Sequence, residues 1–381
     1  MKRAIYIDTY STENAHEMFN ASSLKMFSLI YDAIEYRAAK SSQQNILNLL
    51  KGLPDNIHYK KIILPTWNRK SIGRLFMQII ATITNVYYIL TSHKDIDIII
   101  NYNTAMSLYP INWSVKLSGK KTLLVCHGEM QDLELKRRTK WIFRKSMTLF
   151  TRTNINIAKN LYFAVLGESI KKNVEKVVSQ QVKEKLISFD HTAIFNSFPL
   201  VDQKESNKLI IGMVGILRES KGSIDFFKLA HHFKGNQHVE FRVIGYLPNS
   251  HECINEAGIV IPEGMNNNYV SREEMYNQIR QLDYTVYLLP KDGYKYTASG
   301  SIFDTIDCER PIISLHNDYI DYLFSLCGNF GFLIKDTNEM IKTIEKLIEN
   351  RKSEVFNFKY VKRILSPENA AKELLKTKFY R

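Results

Sequence analysis

Two glycines and two cations lie close together near the start of the second half of the sequence. Gly212 and Gly215 fall in an apolar, strand-like run and the turn after it, and Arg218 and Lys221 follow before a helix-like segment. Backbone N–H groups in such a turn can hold a phosphate group, and the two cations would add charge-assisted hydrogen bonds. These residues predict a phosphate site, and a solvated turn is the open alternative.

A second candidate lies further along the same half. Ser299, Gly300 and Ser301 follow the strand-like stretch "YTVYLLP" and its loop, and they precede a helix-like run that stops at Pro311. A serine can cap a helix by accepting a hydrogen bond from a free backbone N–H group. The same N–H groups and the helix dipole favour an anion. If both loops follow parallel strands, they can face one ligand from two sides.

Such loops need strands and helices that alternate, and this alternation runs through all 381 residues. The length suggests two domains, and the pattern restarts at "KLIIGMVG" after a polar segment, Phe195 to Lys208. We predict an α/β protein of two Rossmann-like domains that face an interdomain cleft. The predicted domains are residues 1–200 and 201–360, and residues 361–381 form a C-terminal helix that packs back on the first domain. Predicted helices of the first half include Leu24–Ala39 and Lys70–Thr91.

The net charge of +13 is concentrated in the first half of the chain. Residues 1–200 carry 28 Lys and Arg against 15 Asp and Glu, whereas the remaining residues are balanced. Nucleic acid, an anionic membrane surface and a phosphorylated substrate are the partners that such a half could bind. Zinc-finger spacing and RNP-like aromatic runs are absent from the sequence, which disfavours nucleic acid. Four cysteines without CxxC or metal-ligand spacing make the cytoplasm the expected compartment.

Two segments of the first half combine apolar residues with cations. Leu75 to Leu90 is apolar but shorter than a bilayer-spanning helix, and Lys136 to Lys145 mixes cations with aromatic residues. One interpretation is an interfacial surface that contacts anionic lipid, on the inner face of the plasma membrane, with the helix Lys70–Thr91 contributing. The alternative is a solvated basic face whose aromatic side chains pack inward.

The order of several short motifs resembles that of glycosyltransferases with the GT-B fold, in particular the family-4-like (glycosyl transferases group 1) bacterial sugar transferases. "VGILRESKGSIDFF" is similar to the opening of their C-terminal domain, and "SGSIFDTIDCERPIIS" to a later stretch with the proline in register. "VIGYLP" and "LDYTVYLLP" match two further strands, and "TLLVCHGEM" and "LYFAVLGESIKKNV" match the first domain. The resemblance covers nearly the whole chain and implies the GT-B fold.

The resemblance also implies roles for individual residues of the second domain. Lys221 matches a lysine that contacts the donor diphosphate, and Arg218 is a candidate replacement for an arginine that falls on Ile216 here. Asp304 matches an acid expected on the nucleotide ribose. Tyr296 stands where the family places its first acid, which faces the donor sugar in retaining members. The implied donor-binding residues are Gly215, Arg218, Lys221, Tyr296, Ser299, Gly300, Ser301 and Asp304.

The first domain supplies the candidate catalytic residues. His127 and Gly128 match a turn that approaches the donor sugar, and the alternative for His127 is a histidine bonded to nearby backbone at a strand end. Glu129 and Asp132 are candidate bases, with structural surface acids as the alternative. If the reaction inverts, a carboxylate or histidine must take the proton of the acceptor hydroxyl. The wider pool of bases also contains Asp8, Glu13 and His16.

The resemblance implies a hexosyltransferase that takes its sugar from a nucleotide-diphosphate donor. A glycan or a polyprenyl-diphosphate-linked acceptor would receive it, in the synthesis of a bacterial surface polysaccharide such as capsule or lipopolysaccharide. Cations and a helix end are expected to replace a metal ion at the diphosphate, and no cofactor is expected. A GT-B-type sugar-nucleotide epimerase and a non-catalytic sugar-nucleotide-binding relative stay open as alternatives, and a nucleic-acid-binding protein is a distant one.

Overall fold

The computed structural model describes residues 1–11, 16–64, 71–133, 141–195, 206–246, 256–262, 265, 270–291, 293–350 and 354–381. The chain divides into two compact units. The first unit comprises Met1–Ile194, Tyr296–Ala298 and Leu365–Arg381, and the second comprises Phe195–Lys295 and Ser299–Ile364. The C-terminal residues therefore belong to the same unit as the N-terminal ones.

The first unit is built on a sheet of seven parallel strands in the order β3-β2-β1-β4-β5-β6-β7. The central strands are almost continuously apolar and buried, as expected of strands that are covered on both faces. The strands are β1 (Arg3–Asp8), β2 (Ala33–Ala38), β3 (Ile57–Lys61), β4 (Ile96–Tyr102), β5 (Thr122–Val125), β6 (Leu161–Leu166) and β7 (Leu186–Phe189).

The helices of this unit form two groups. One group contains α1, which packs against α2 and the C-terminal helix α14, and the other contains α3, α4 and α5 packed side by side. Because the strand order reverses direction after β3, right-handed crossovers place these groups on opposite faces of the sheet. The helices are α1 (Glu17–Ser28), α2 (Lys40–Leu50), α3 (Ser71–Thr91), α4 (Leu108–Ser118), α5 (Trp141–Thr151), α6 (Glu168–Glu175), α7 (Gln180–Lys185) and α14 (Pro367–Leu375).

The second unit has five parallel strands in the order β12-β11-β10-β8-β9. An apolar cluster in its core includes Ile211, Phe226, Phe241 and Val286. The strands are β8 (Leu209–Val214), β9 (Val239–Ile244), β10 (Tyr284–Tyr287), β11 (Ile312–Leu315) and β12 (Gly331–Ile334). The helices are α8 (Ser223–His232), α9 (Arg272–Arg280), α10 (Ser301–Asp307), α11 (Asp318–Cys327), α12 (Thr337–Glu349) and α13 (Phe358–Ile364).

The predicted α/β class is confirmed, and one predicted helix is wrong. The segment Leu24–Ala39 was expected to be a single helix, but α1 ends at Ser28 and Ala33–Ala38 is a strand. Its residues alternate between half-buried and buried, which is the period of a strand, and Ala and Glu in it obscure that pattern. Lys70–Thr91 is helical from Ser71 onwards. Across the described segments, no helix is long and apolar enough to cross a membrane.

Candidate functional site

The predicted phosphate turn follows β8 directly. Gly215 has φ 108, a left-handed conformation that residues with a side chain rarely adopt. A Cβ atom placed on it would lie 3.3 Å from the Cβ atom of Ser301 and 3.7 Å from the Nζ atom of Lys221. The structure therefore brings Gly215, Lys221 and Ser301 together, although Ser301 is far from the other two in sequence.

The turn that carries Lys221 is held in place by a second glycine. Glu219–Lys221 forms a short 3-10 helix, and Gly222 follows it with φ 81. A Cβ atom on Gly222 would lie 2.1 Å from the carbonyl oxygen of Leu288, the residue after β10. Only glycine permits this approach, which fixes the Lys221 turn against the end of the neighbouring strand.

The electrostatics of this turn favour an anion. Burial is the main cause that lowers the pKa of Lys221, the nearby charge of Arg218 lowers it further, and Asp304 opposes both. Arg218 is exposed. Two cations that disfavour each other's charge would both be stabilised by a bound phosphate group.

The serines at the start of α10 do not cap it. Gly300 is the N-cap residue, with no hydrogen bond from a side chain to the helix, so the capping alternative is wrong. Ser299 is buried, and its Oγ atom lies 3.5 Å from that of Ser301. Burial raises the pKa of Tyr294 to about 12, while a hydrogen bond with Ser299 opposes that shift. Ser299 is thus tied to its own loop, and Ser301 is the serine beside Gly215.

Asp304 occupies the first turn of α10 and is nearly buried. Its Oδ1 atom accepts hydrogen bonds from Arg272 Nη1 at 2.5 Å and from the Tyr276 hydroxyl at 3.2 Å. Among the described residues, Oδ1 accepts both hydrogen bonds of the Asp304 carboxylate. Sequence reasoning did not find Arg272 or Tyr276, because nothing local marks a partner about thirty positions away.

Tyr296 is assigned to a different unit from the other predicted donor-binding residues. It is buried, with 4% of its surface exposed, and its segment Tyr296–Ala298 belongs to the first unit. The other predicted donor-binding residues all lie in the second unit: Gly215, Arg218, Lys221, Ser299, Gly300, Ser301 and Asp304.

In the first unit, His127 follows β5 and lies among aromatic rings. Its Nε2 atom is 2.8 Å from the carbonyl oxygen of Asn101, its ring stacks on Tyr102 at 4.9 Å, and Phe19 contacts it edge-on. Burial, with a contribution from the charge of His16, lowers the pKa of His127 to about 3. The imidazole is neutral at pH 7, and because a carbonyl oxygen can only accept, Nε2 carries the proton. Nδ1 is consequently an acceptor.

Glu129 lies two residues further, in the 3-10 helix Gly128–Leu133. Its Oε2 atom accepts a hydrogen bond from the backbone N–H of His127 at 2.8 Å, and its Oε1 atom is buried without a described partner. Burial, reinforced by the charge of Asp132, raises the pKa of Glu129 to about 8. Asp132 is itself 9% exposed. Glu129 is therefore a carboxyl group that titrates near neutral pH, as a general acid or base requires.

Of the wider pool of bases, His16 has its ring next to that of His127. It is a non-glycine residue with φ 55, its side chain is exposed, and its ring centroid lies 5.7 Å from that of His127. Asp8 is fully buried and accepts hydrogen bonds from Tyr10 N, Ser11 N and the Asn20 amide, which is a structural role. Glu13 lies outside the described residues, and so do residues 136–140, the first half of the basic segment Lys136–Lys145.

A third histidine, His191, was not singled out from the sequence. Its ring lies 4.8 Å from that of Phe19, and burial lowers its pKa to about 3. Among the residues described, His, Cys, Asp and Glu side chains form no group of three or more with a metal-binding arrangement.

The chain is similar to known proteins in its fold. No protein-family model and no curated protein matches the chain. Among solved structures, HepE of Anabaena in complex with UDP matches with 10% identity and a TM-score of 0.61 over 99% of both chains. The lipopolysaccharide outer core galactosyltransferase WaaB has 13% identity, TM-score 0.60 and 98% coverage of both chains. TarM of S. aureus, in a complex that includes UDP, has 12% identity, TM-score 0.59 and coverage of 99% and 97%. The chain has the α/β fold of the GT-B glycosyltransferases.

Proposed function

We propose that the protein is a glycosyltransferase that binds a nucleotide-diphosphate sugar in its second unit. The observation that carries the proposal is the convergence of Lys221 and Ser301 on Gly215, at the carboxyl end of β8. In parallel α/β sheets, ligands bind outside the carboxyl ends of the strands. The fold it shares with HepE and TarM, whose structures contain UDP, supports a nucleoside diphosphate as the leaving group.

The residues of this turn fit the charge that develops during transfer. When the bond between the sugar and phosphate breaks, the diphosphate gains negative charge, and preorganised cations stabilise that state more than the substrate. Lys221 and Arg218 take this role, so we propose that transfer needs no metal ion. Asp304 keeps Oδ2 for a ribose hydroxyl while Arg272 and Tyr276 hold Oδ1.

The first unit would handle the acceptor hydroxyl. Nδ1 of neutral His127 can accept a hydrogen bond from a sugar hydroxyl, and Glu129 can exchange a proton near neutral pH. Asp132 and His16 lie beside this pair and complete the candidate acid–base group. We propose that the ionised form of Glu129, whose share grows as the pH rises towards 8, is the proton acceptor in the transfer step, with His127 orienting the sugar.

The acceptor in this proposal is a glycan or a polyprenyl-diphosphate-linked glycan of a bacterial surface polysaccharide. The basic first half of the chain suits a phosphorylated lipid carrier and an anionic membrane surface, and nucleic acid is not a partner. WaaB, which has the same fold, is a lipopolysaccharide galactosyltransferase, and this supports a hexose as the transferred group.

Thermal-shift measurements with UDP-, GDP-, CDP- and TDP-sugars test the donor site. At least one donor should raise the melting temperature of the wild type, and Lys221→Met should weaken its binding about 10- to 100-fold, the value of one or two charge-assisted hydrogen bonds. The matched control is Lys228→Met, because Lys228 is an exposed lysine of α8 that pairs with Asp225. Donor binding that is absent, or equally weak in both variants, contradicts the proposal.

Turnover separates the remaining alternatives. Incubation with the bound donor alone should leave it intact except for slow hydrolysis, and a surface-glycan acceptor should release the nucleoside diphosphate. Conversion of the donor sugar without an acceptor would instead identify an epimerase. Excess EDTA should leave the rate unchanged if no metal ion takes part.

A further inference from the structure

Helix α3 exposes apolar side chains to solvent along its length. From Leu75 to Leu90 every exposed residue is Leu, Phe, Ile or Tyr. The most exposed are Ile83 at 63% and Tyr87 at 57%. Between Leu75 and Leu90 the exposed residues are Leu75, Phe76, Ile79, Ile83, Tyr87 and Leu90.

The buried side of the same helix is the more polar one. Gln78 and Asn85 are buried, and Asn85 Oδ1 lies 3.4 Å from the Thr9 hydroxyl. A helix on the surface of a soluble domain normally has the opposite arrangement, with apolar residues inside and polar residues outside. The outward side of α3 is therefore suited to an apolar environment.

Helix α4 extends this surface. Its exposed residues include Tyr109, Trp113 and Leu117, which are spaced by four and so lie on one side of the helix. The two helices are adjacent, since the hydroxyls of Thr82 and Ser107 lie 2.9 Å apart and α3 packs against α4. We call the exposed apolar residues of α3 and α4 the apolar face.

The charge around the apolar face indicates what covers it. The stretches 56–94, 98–128 and 135–167, which contain α3, α4 and α5, include no Asp or Glu. Exposed cations accompany the apolar residues, with Lys116 on α4 and Arg144 on α5, next to α4. Within these stretches the surface is apolar and cationic, which is complementary to anionic lipid. A two-fold contact with a second copy would instead bring the same cations together.

We propose that the apolar face binds an anionic phospholipid bilayer, with α3 and α4 lying in the plane of the membrane surface. Trp113, Tyr87 and Tyr109 would sit at the level of the lipid headgroups, where amphipathic rings are favoured. The inference deepens the proposed function and rests on it for the lipid-linked acceptor.

Co-sedimentation with phosphatidylcholine vesicles, with and without phosphatidylglycerol, tests the inference. The full chain should bind only the anionic vesicles at low salt. Ile83→Gln combined with Trp113→Gln should lower the partition coefficient at least tenfold, because both exposed side chains lose apolar contact with lipid. Leu29→Gln is the matched control, since Leu29 is 47% exposed at the end of α1 in the other helical group and should leave binding unchanged.

A second readout reports the position of α4. Lipids brominated near the headgroup should quench part of the tryptophan fluorescence, and Trp113→Phe should remove that part. Equal vesicle binding by the wild type and the double variant overturns the inference. So does a stable dimer that Ile83→Gln dissociates, since it shows that a second copy covers the face. Donor binding is measured by thermal shift on the same variants. A variant that loses vesicle binding but keeps donor binding shows that the two proposals stand or fall independently.

Discussion

The substitution Glu129→Gln should make the protein more stable and less active. In the folded protein, burial holds the pKa of this carboxyl group at about 8, against an ordinary value of 4.5. Between these values the unfolded chain releases the proton while the folded chain keeps it, so stability falls as the pH rises from 4.5 to 8. A glutamine amide has nearly the same shape, its oxygen can accept the His127 N–H bond, and it does not titrate.

The size of the effect follows from the two pKa values. At pH 4 the carboxyl group is protonated in both states, and the substitution should change the free energy of unfolding little. At pH 7 the difference amounts to roughly 3 kcal/mol in favour of the variant, and above pH 8 it approaches about 5 kcal/mol. The transfer rate should meanwhile fall by about a hundredfold or more if Glu129 takes the proton.

Urea unfolding of both proteins at a series of pH values measures this difference. The control is Glu184→Gln, an exposed carboxyl group of the same unit, which should shift stability by less than about 0.5 kcal/mol throughout. A difference that stays constant from pH 4 to pH 9 would show that Glu129 is not held protonated by the fold. Unchanged turnover would remove it from the acid–base group.

Three other substitutions test the local geometry. Gly222→Ala should cost about 3 kcal/mol or more in thermal unfolding, because its Cβ atom would collide with a backbone carbonyl, whereas Gly235→Ala meets nothing within 4 Å and should cost about 1 kcal/mol. His191→Asn should make the free energy of unfolding less dependent on pH in acid. The wild type loses stability as the pH falls from 6.5 towards 3, because His191 is protonated in the unfolded chain while burial keeps it neutral in the folded protein. Arg272→Gln should cost about 3 kcal/mol in thermal unfolding by leaving the carboxylate of Asp304 without its cation, and equal stability would refute that pairing.

The sequence predicts those parts of the fold that are determined by residues close together in the chain. The turn after β8 combines a strand with glycines that have φ above zero, and these features are readable without neighbours. Strand β2 was misread because Ala, Glu and Arg favour a helix in isolation, and its pairing with both β1 and β3 overrides that preference. Contacts with the neighbouring strands therefore determine that this segment is a strand.

The candidate site shows the same limit. Arg272 holds Asp304 across 32 positions of sequence, and nothing near either residue announces the pair. His16 reaches His127 because β1 and β5 end at the same edge of one sheet. Such pairs follow from strand order, which periodicity alone does not supply.

Two features of the first unit lower its stability, and no structural role in the fold explains them. Glu129 keeps a carboxyl group in a place that disfavours its charge, and α3 turns apolar side chains outward while it buries Gln78 and Asn85. Neither arrangement is required by the α/β fold, since a glutamine and a conventional amphipathic helix would satisfy the same backbone. Each is accounted for by a proposed ligand: a sugar hydroxyl that needs a proton acceptor near neutral pH, and a bilayer that covers the apolar face. The substitutions Glu129→Gln and Ile83→Gln remove these two costs. Each variant should fold, retain donor binding and lose transfer to a lipid-linked acceptor. That result would locate both the acceptor chemistry and the membrane contact in the first unit.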